Sequence, residues 1–285
     1  MTGRMRDIFH DERVPPRPPT GQTRRMTAPL RRLSEIAPGV WVARSRFYAQ
    51  NSTVILDGHG GAIVVDPAYY ADELAMIPPD LAALGVRVVA GISTHMHYDH
   101  VLWHPDLGDV PRWSTPGTVR ETVDNRDEVV APLRGDLPDD LVDLAARLTP
   151  YHGELVEWSG PTLRIHVHDA HAPHHLALEL VDLGVVVAGD MLSDVELPYP
   201  ADADTDLVTY RTGLESLGEL VRRSRVLIPG HGGVSENPVE RWDADRRYLD
   251  ELEATGTSDD ARIGLDGMAE LHEANLARAL GRKSS

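Results

Sequence analysis

The sequence predicts a layered α/β domain in which helices cover the outer faces of β-sheets. Three observations support this fold class. Short apolar runs of β type dominate the front half, strand and helix patterns alternate later, and the last 45 residues have helical periodicity. A chain of 285 residues with 41% hydrophobic content can bury one large core or at most two modest ones. Sheets with helices packed outside them satisfy both the pattern and the size.

The chain begins with a segment that has no pattern of folded structure. Residues 1–28 are rich in Arg and Pro and lack apolar periodicity, so we predict a flexible tail there. Residues 29–240 are predicted to form the main domain. Residues 241–285 contain the amphipathic segments "VERWDADRRYLDELEA", whose first two residues precede this range, and "MAELHEANLARAL". They predict C-terminal helices that pack on that same domain.

Within the main domain, β runs come first and mixed segments follow. The runs "GVWVARS", "NSTVILDG" and "GAIVVD" predict a β-meander with a Gly-rich hairpin at "DGHGG". The segment "YADELAMIPPDLAALG" is typical of a helix, and "VRVVAGIS" is typical of a buried strand. Further helices are predicted near 117–130 and 138–148. Three apolar runs then indicate later strands: "TLRIHVHDA", "LALELVDLGVVVAGD" and "RVLIPGHG".

Composition excludes several classes of function. The formal net charge of −17 repels phosphate backbones, so we expect no nucleic acid as partner. The chain has no Cys, and any metal site must therefore use His and carboxylates. No apolar run approaches the ~18 residues of a spanning helix, and the N-terminal stretch lacks the apolar segment of a signal peptide. We therefore expect a cytoplasmic protein without membrane contact; pairing of two copies is left open.

The stretch "STHMHYDH" places three histidines and an aspartate within six positions at the end of an apolar strand. His95 and His97 lie two apart, so in an extended strand end they point the same way and can hold one cation. Asp99 and His100 come after the strand, where a turn can direct them to a second position. These four side chains cannot saturate two metals, so further ligands must come from other loops at the same sheet edge.

The sequence offers three such ligands, each in a loop next to an apolar run. His171 lies between two β runs, and Asp190 ends the run "LGVVVAGD". His231 follows "RVLIPG" and is flanked by glycines that allow a close approach of the backbone. His168, His174 and His175 lie in the same segment as His171 and compete with it as candidates.

The series His95-x-His97-x-Asp99-His100, followed by His171, Asp190 and His231, resembles the motif series of the metallo-β-lactamase-fold superfamily. The resemblance covers roughly residues 36–235 and implies an αββα sandwich with two metals at one edge of the sheets. It implies that Asp66, in "GAIVVDPA", supports the ligands from behind. It assigns His95, His97 and His171 to the first metal, Asp99, His100 and His231 to the second, and Asp190 to both.

The resemblance also implies the chemistry. Two zinc ions are expected, with iron or manganese as alternatives, because His and Asp ligands do not decide between them. A hydroxide between two divalent ions forms near neutral pH and attacks the substrate. The candidate catalytic residues are Asp99 and His175. Family members commonly have Pro-Gly-His-x-x-Gly-His where this chain has "DAHAPHH", and His175 matches the second His, near the substrate or behind the ligands.

The predicted activity is hydrolysis of an ester, thioester or lactone of a small molecule. The bulky residues of "DHVLWHPDLG", where relatives usually have Gly, suggest an apolar wall and a substrate with an apolar portion. A true β-lactamase is disfavoured by Asp190 and by the lack of Cys. The alternatives are a persulfide-dioxygenase-type oxidoreductase with a single iron, or a phosphodiester hydrolase. The remaining histidines are expected to be structural or on the surface: His10, His59, His104, His152, His166 and His272.

Overall fold

The front half of the chain forms a seven-stranded sheet. The structure, a computed structural model, describes residues 31–201 and 205–283, and the predicted tail over 1–28 lies outside the described residues. Strands β1 to β4 pair antiparallel as the predicted meander, and β4 to β7 pair parallel, all in sequential order. The strands are β1 (Ser34–Ala37), β2 (Val40–Arg44), β3 (Asn51–Leu56), β4 (Gly61–Val65), β5 (Arg87–Ile92), β6 (Arg112–Ser114) and β7 (Thr149–Pro150).

The second half of the chain forms a four-stranded sheet in the order β11-β10-β9-β8. Strand β9 pairs antiparallel with β8 and with β10, and β11 pairs parallel with β10. The strands are β8 (Leu163–His168), β9 (His175–Leu180), β10 (Val185–Gly189) and β11 (Val226–Pro229). The single run "LALELVDLGVVVAGD" therefore holds two strands, joined by a turn at Gly184, whose φ is +60°.

Helices flank both sheets. They are α1 (Ala71–Leu74), α2 (Ile77–Ala83), α3 (Pro116–Asp124), α4 (Arg126–Val130), α5 (Asp139–Leu144), α6 (Leu207–Ser216), α7 (Gly218–Arg223), α8 (Pro238–Thr255) and α9 (Met268–Lys283). Short 3₁₀ segments cover Pro105–Leu107, Ala131–Leu133 and Ala261–Gly264. The helix predicted for "YADELAMIPPDLAALG" is split into α1 and α2. Two prolines occupy the first turn of α2, where a missing amide proton costs least.

Alternation along the strands divides the buried apolar residues among three clusters, one between the sheets and one on the outer face of each sheet. Ile55 and Ile63 of the first sheet lie in one buried cluster with Leu176 and Leu178 of the second sheet. The opposite face of the first sheet packs against α1, α2, α4 and α5, and the opposite face of the second sheet packs against α6 to α9. The layers are thus helix, sheet, sheet and helix, which confirms the predicted αββα sandwich.

The C-terminal helices cover the second sheet. Trp242 and Tyr248 of α8 lie in the same buried cluster as Tyr210 of α6, and Met268 and Leu271 of α9 join them. Helix α8 ends at Gly256, whose φ of +72° provides the left-handed residue of a helix C-terminus. Among the described residues, no helix is long and apolar enough to cross a membrane.

Candidate metal centre

The loop that follows β5 folds back on itself at the edge of the sandwich. The amide of His100 donates to the carbonyl oxygen of His97 at 2.9 Å, which closes a tight turn. The Ser93 hydroxyl donates to the carbonyl oxygen of His100 at 2.8 Å and fastens the turn to the end of the strand. The whole polar stretch is therefore held in one place.

Three imidazoles and one carboxylate form the first group of candidate ligands: His95, His97, His171 and Asp190. Nδ1 of His97 lies 2.9 Å from Nε2 of His95 and 3.1 Å from Nε2 of His171. Oδ2 of Asp190 lies 3.6 Å from the His95 nitrogen and 3.4 Å from the His171 nitrogen. Ligand atoms at tetrahedral bond lengths of ~2 Å stand roughly 3.3 Å apart, so one cation fits among these four side chains.

The second group consists of Asp99, His100 and His231. Oδ2 of Asp99 lies 3.5 Å from Nε2 of His100 and 3.2 Å from Nε2 of His231, and the two nitrogens are 3.3 Å apart. Asp190 also faces this group, with Oδ1 3.1 Å from the His100 nitrogen and Oδ2 3.6 Å from the His231 nitrogen. One carboxylate therefore lies between the two groups.

Hydrogen bonds on the outer side of two rings fix which nitrogen faces the centre. Nδ1–H of His171 donates to the Tyr199 carbonyl oxygen at 2.9 Å, and Nδ1–H of His231 donates to the Tyr48 carbonyl oxygen at 3.1 Å. A carbonyl oxygen only accepts, so Nδ1 carries the proton and Nε2 presents its lone pair to the centre. This is the tautomer that a metal ligand requires.

Asp66 orients the two histidines whose rings lie deepest. Its Oδ2 accepts a hydrogen bond from Nδ1–H of His100 at 3.0 Å and another from the Thr94 hydroxyl at 2.7 Å. Because that hydroxyl gives its proton to Asp66, its oxygen is left to accept from Nδ1–H of His95, 3.0 Å away. One buried carboxylate thus sets both rings, the second through Thr94. These contacts match the supporting role that the resemblance implies for Asp66.

The donor set fits divalent cations. Imidazole lone pairs that point at one another at about 3 Å repel unless a positive charge lies between them. Oδ1 of Asp190 is buried and accepts no well-aligned hydrogen bond in the part of the chain that the structure describes. Nitrogen and carboxylate oxygen suit zinc, iron and manganese alike. The seven residues therefore form a His/Asp metal-binding cluster, whose donors do not identify the metal.

Burial and mutual attraction control protonation in the cluster. Burial lowers the pKa of His95 well below its ordinary value, and His100 lowers it further. Burial also opposes protonation of His100, but the carboxylates of Asp190 and Asp99 outweigh it and raise the pKa of that imidazole well above its ordinary value. Burial would raise the pKa of Asp190, yet His100 and His231 hold it well below its usual range. Cations bound here would replace the protons on these imidazoles.

His175 lies behind the first group and has no exposed surface. Its ring stacks on the His95 ring, with centroids 4.8 Å apart and planes at 26°. Its Nε2 accepts from the amide of Asp190 at 3.2 Å, and its Nδ1 is 3.2 Å from Nε2 of the buried His168. A ring without exposed surface does not touch a substrate. Of the two predicted roles for His175, substrate contact and support of the ligands, this geometry favours the second.

Two residues that sequence reasoning missed fasten the ligand loops together. The side-chain amide of Gln50 donates to the Asp99 carbonyl oxygen, and its oxygen accepts from the amide of Tyr69 at 3.1 Å. The side-chain amide of Asn51 donates to the carbonyl oxygens of Pro229 and Gly232 at 2.9 Å each. The start of β3 thereby holds the loops on both sides of the centre. A polar residue at the start of a strand has many roles, so no signal in the sequence indicated this one.

Left-handed backbone is concentrated around the centre. The described non-glycine residues with positive φ are Tyr48, Ala49, Asp66, Ala146, His174 and Leu192, with φ between 45° and 63°. All of them except Ala146 lie in segments that carry or contact the candidate ligands. Such a conformation costs about 1–2 kcal/mol per residue and persists only where surrounding contacts enforce it.

Glu196 is a further acidic residue at the centre, and sequence reasoning missed it. Its Oε1 lies 3.8 Å from Nδ1 of His231, and it forms a third candidate group with Asp190 and His231. Burial raises the pKa of the Glu196 carboxyl to about 7; His231 opposes this shift, and Asp190 and Asp99 reinforce it. It lies in the irregular segment "SDVELPYP", which has neither a motif nor a preceding strand to indicate a role.

The apolar wall predicted from "DHVLWHPDLG" does not border the centre. Val101 and Leu102 are each 1% exposed and Trp103 is 4% exposed, and all three pack in the core between the first sheet and its helices. That part of the prediction is wrong, because the turn after His100 directs this segment inward. Half-buried aromatic rings lie nearer the ligand loops instead: Tyr98 follows His97, and Tyr48 contacts His231 through its carbonyl oxygen.

The histidines expected to be structural lie outside the two ligand groups. Nε2 of His166 is 2.8 Å from a carboxylate oxygen of Glu179, and Nδ1 of His104 accepts from the amide of Asp106. Nδ1 of His272 is 3.1 Å from the Tyr248 hydroxyl. His59 and His152 are exposed, and His10 lies outside the described residues.

Comparisons with known proteins agree with this fold. A metallo-beta-lactamase family protein from Thermus thermophilus has a TM-score of 0.64 and 20% identity, covering 88% of this chain and 95% of that chain. A metallo-beta-lactamase from Pontibacter korlensis has a TM-score of 0.58 and 16% identity, and the match covers 74% of this chain and 96% of that chain. The stereoselective inverting sec-alkylsulfatase Pisa1 from Pseudomonas sp. has a TM-score of 0.60 and 18% identity, and the match covers 79% of this chain and 42% of that chain. The chain thus spans less than half of the alkylsulfatase, and identities this low show the fold alone.

The family match is more extensive. Residues 45–235, about two thirds of the chain, match the Metallo-beta-lactamase superfamily. This range includes all seven predicted ligands and the strands that carry them. The chain therefore belongs to the metallo-beta-lactamase superfamily, as a metal-dependent hydrolase with a His/Asp metal-binding cluster.

Proposed function

We propose that the protein hydrolyses an ester, thioester or lactone with two metal ions, zinc by preference. The observation that carries this proposal is the position of Asp190. Its carboxylate is within 3.6 Å of imidazole nitrogens in both ligand groups. A carboxylate shared in this way would hold two cations close together at one edge of the sandwich. A single bound iron would leave one of the two ligand groups without a metal.

His95, His97 and His171 would hold the first metal, Asp99, His100 and His231 would hold the second, and Asp190 would be shared between them. When bound, two divalent ions supply a hydroxide at neutral pH and polarise the carbonyl oxygen under attack.

The protein's own groups position and protect this chemistry. Asp66 and the two backbone carbonyl oxygens keep the imidazole protons away from the centre. Both contacts of Asp99 with imidazoles are made by Oδ2, which leaves Oδ1 to accept the proton of the attacking water. The half-buried ring of Tyr98, next to His97 in the chain, packs edge-on against the rings of Phe47 and Tyr69 and holds this part of the ligand loop. Asp99 is thus the proposed proton acceptor, and His175 supports the ligands.

Metal analysis and a substrate screen test this proposal together. We expect two zinc ions per chain and turnover of at least one chromogenic ester, thioester or lactone. One iron per chain with oxygen consumption on a persulfide would establish the oxidoreductase alternative instead. Turnover confined to phosphodiesters would establish the other alternative and overturn the proposal.

Asp190→Ala is the sharpest variant for the dinuclear arrangement. Because its carboxylate neutralises both cations, we expect the variant to lose metal and activity together, with turnover reduced by several orders of magnitude. The exposed His152→Ala serves as the matched control and should keep both metals. Two tightly held metals in Asp190→Ala, measured by elemental analysis, would refute the bridging role.

A further inference from the structure

Residues 193–199, called the support segment below, contact candidate ligands of both groups. The Ser193 hydroxyl donates to the carbonyl oxygen of His231 at 2.8 Å, and the Tyr199 carbonyl oxygen accepts from Nδ1–H of His171 at 2.9 Å. The segment also follows the shared ligand Asp190 closely in the chain. It contains neither helix nor strand, so contacts from other parts of the chain must set its position.

A buried arginine holds the first half of the support segment. Nη1 of Arg262 donates to the carbonyl oxygens of Ser193 and Glu196, each at 2.9 Å. Arg262 is 7% exposed and forms ion pairs with Asp245 at 2.6 Å and Asp260 at 2.8 Å. Because the guanidinium is planar and two carboxylates hold it in place, its nitrogen determines where both carbonyl oxygens lie.

Helix α9 holds the second half of the support segment. Nδ2 of Asn275, which has no exposed surface, donates to the carbonyl oxygen of Pro198 at 2.7 Å. The amide of Leu197 donates to the sulfur of Met268 at 3.3 Å. Together with the bonds from Arg262, these contacts tie most of the support segment's backbone to side chains of the C-terminal region.

One further contact reaches the residue that orients His171. The guanidinium of Arg278 on α9 lies 4.9 Å from the centre of the Tyr199 ring, within the range of a cation–π interaction. All of these supporting side chains follow residue 235, where the family match ends. The support therefore comes from a part of the chain that the family match does not include.

We propose that the C-terminal region positions the metal ligands, with Arg262 as its main positioning residue. Arg262 fixes Ser193 and, through it, His231 of the second ligand group. Helix α9 fixes Tyr199 and, through it, His171 of the first group. Loss of such support from behind a ligand typically costs about 10- to 100-fold in metal affinity. The proposal rests on the metal cluster of the proposed function, but not on the identity of the substrate.

The zinc affinity of Arg262→Lys, measured on the full chain, tests the role of Arg262. Lysine keeps the positive charge beside Asp245 and Asp260 but lacks the planar fork that reaches both carbonyl oxygens. In competition with a chromophoric chelator, we expect zinc to be bound about 10- to 100-fold more weakly than in the unaltered protein.

Glu179→Gln is the matched control, because it removes stability at the end of β9 that lies away from the centre. Its zinc affinity should stay within about twofold of that of the unaltered protein. Unchanged affinity in Arg262→Lys, or an equal loss in Glu179→Gln, would overturn the proposal.

Asn275→Ala tests the contribution of α9. The variant removes the hydrogen bond to Pro198, and we expect its zinc affinity to fall at least about 10-fold. The exposed Asn237→Ala makes the same change outside the support segment and should keep the affinity of the unaltered protein. Unchanged affinity in Asn275→Ala would overturn the role of α9.

Hydrogen exchange of the metal-free full chain separates this proposal from the proposed function. The amide of Gly233, close to His231 in the chain, donates to Oδ1 of Asp194 in the support segment at 2.6 Å. Arg262→Lys should speed the exchange of this amide at least about 10-fold, whereas Glu179→Gln should not. Faster exchange within residues 193–199 without a change at Gly233 would overturn the proposal. If the unaltered protein binds no zinc, the proposed function fails while this measurement still decides the positioning role.

Discussion

Single protons decide whether the histidines of this centre can bind metal. A neutral imidazole has one nitrogen with a proton and one with a lone pair, so each ring needs an acceptor on its outer side. Tyr48 and Tyr199 supply backbone carbonyl oxygens, and Asp66 supplies a carboxylate. Loss of one acceptor would let the ring rotate or take the other tautomer, typically at a cost of 10- to 100-fold in metal affinity.

The crowded segment "HVHDAHAPHH" provides a test of the ligand choice. His171→Ala should lose or weaken the first metal, because its Nε2 is one of the converging atoms. His168→Ala should keep both metals, since its Nε2 contacts only His175 among the cluster rings. His175→Ala should keep them too but lower turnover by ~10–100-fold through looser support of the ligands. Elemental analysis of the three variants decides; metal lost from His168→Ala but kept in His171→Ala would show that the assignment is wrong.

Gly230 lies where the chain after β11 passes very close to the end of β10. A Cβ at this position would stand 2.0 Å from Oδ1 of Asp190 and 2.9 Å from the backbone of Gly189, and the backbone cannot easily move. We expect Gly230→Ala to lower the free energy of unfolding by about 1–3 kcal/mol and to weaken metal binding. Gly264→Ala, where a Cβ meets nothing within 4 Å, is the matched control. Equal melting temperature and zinc affinity in the two variants would contradict this prediction.

Sequence alone could predict the ligands but not their supports. Each ligand lies in a loop next to an apolar run, and histidine and aspartate, which both bind divalent metals, recur in these loops. The acceptors at Tyr48 and Tyr199 are backbone atoms, which leave no trace in residue identity. Glu196 was missed because its position depends on Arg262, 66 residues further along the chain. Support that comes from backbone or from distant residues becomes visible only in the fold.

At the scale of whole elements, Glu179 joins two strands and a helix. Its carboxylate on β9 accepts from Arg223 of α7 at 2.6 and 2.8 Å and lies 2.8 Å from Nε2 of His166 on β8. The hydrogen bonds from Arg223, helped by His166, lower the pKa of Glu179 to about 2 although burial opposes them. Because the folded pKa lies below the unfolded value of ~4.3, the stabilisation is complete above that value and is lost as the pH falls towards 2.

Glu179→Gln should therefore lower the free energy of unfolding by about 1–3 kcal/mol at pH 7. The difference from the unaltered protein should be constant above about pH 5 and narrow as the pH falls from there towards 2, because the unfolded chain then takes up a proton at Glu179 that the folded carboxylate does not bind. Urea unfolding across this pH range measures both effects. The exposed Glu157→Gln is the control. A difference that stays constant or grows on acidification would rule out the carboxylate as its source.

Element boundaries were predicted less well than element types. The predicted helix near 117–130 consists of α3 and α4, separated at Asn125, which has φ −120° and ψ +23°. The helix near 138–148 ends at Leu144, where Arg112 donates to a carbonyl oxygen. In both cases a residue with a tertiary or capping contact ends the helix, and the local apolar period does not register such contacts.

At the scale of the molecule, the metal centre joins the two sheets. His95, His97, Asp99 and His100 follow β5 in the first sheet, whereas His171, Asp190 and His231 adjoin strands of the second sheet. Within the described ranges, the amide of Leu176 also donates to the carbonyl oxygen of Thr94 at 2.9 Å, directly from one sheet to the other. Bound cations would add stronger links at this same edge.

Removal of the metals should therefore destabilise the whole sandwich and not only the site. An ion present at about 100 times its dissociation constant adds roughly 2.7 kcal/mol to the free energy of unfolding, and about 2–4 °C of melting temperature accompanies each kcal/mol in proteins of this size. For two ions we expect dialysis against a chelator to lower the melting temperature by roughly 10–20 °C, and added zinc to restore it. Asp190→Ala, already without metal, should show no further loss on chelation. A chelated protein that melts at the temperature of the loaded one would mean that the sheets are held together without the cations.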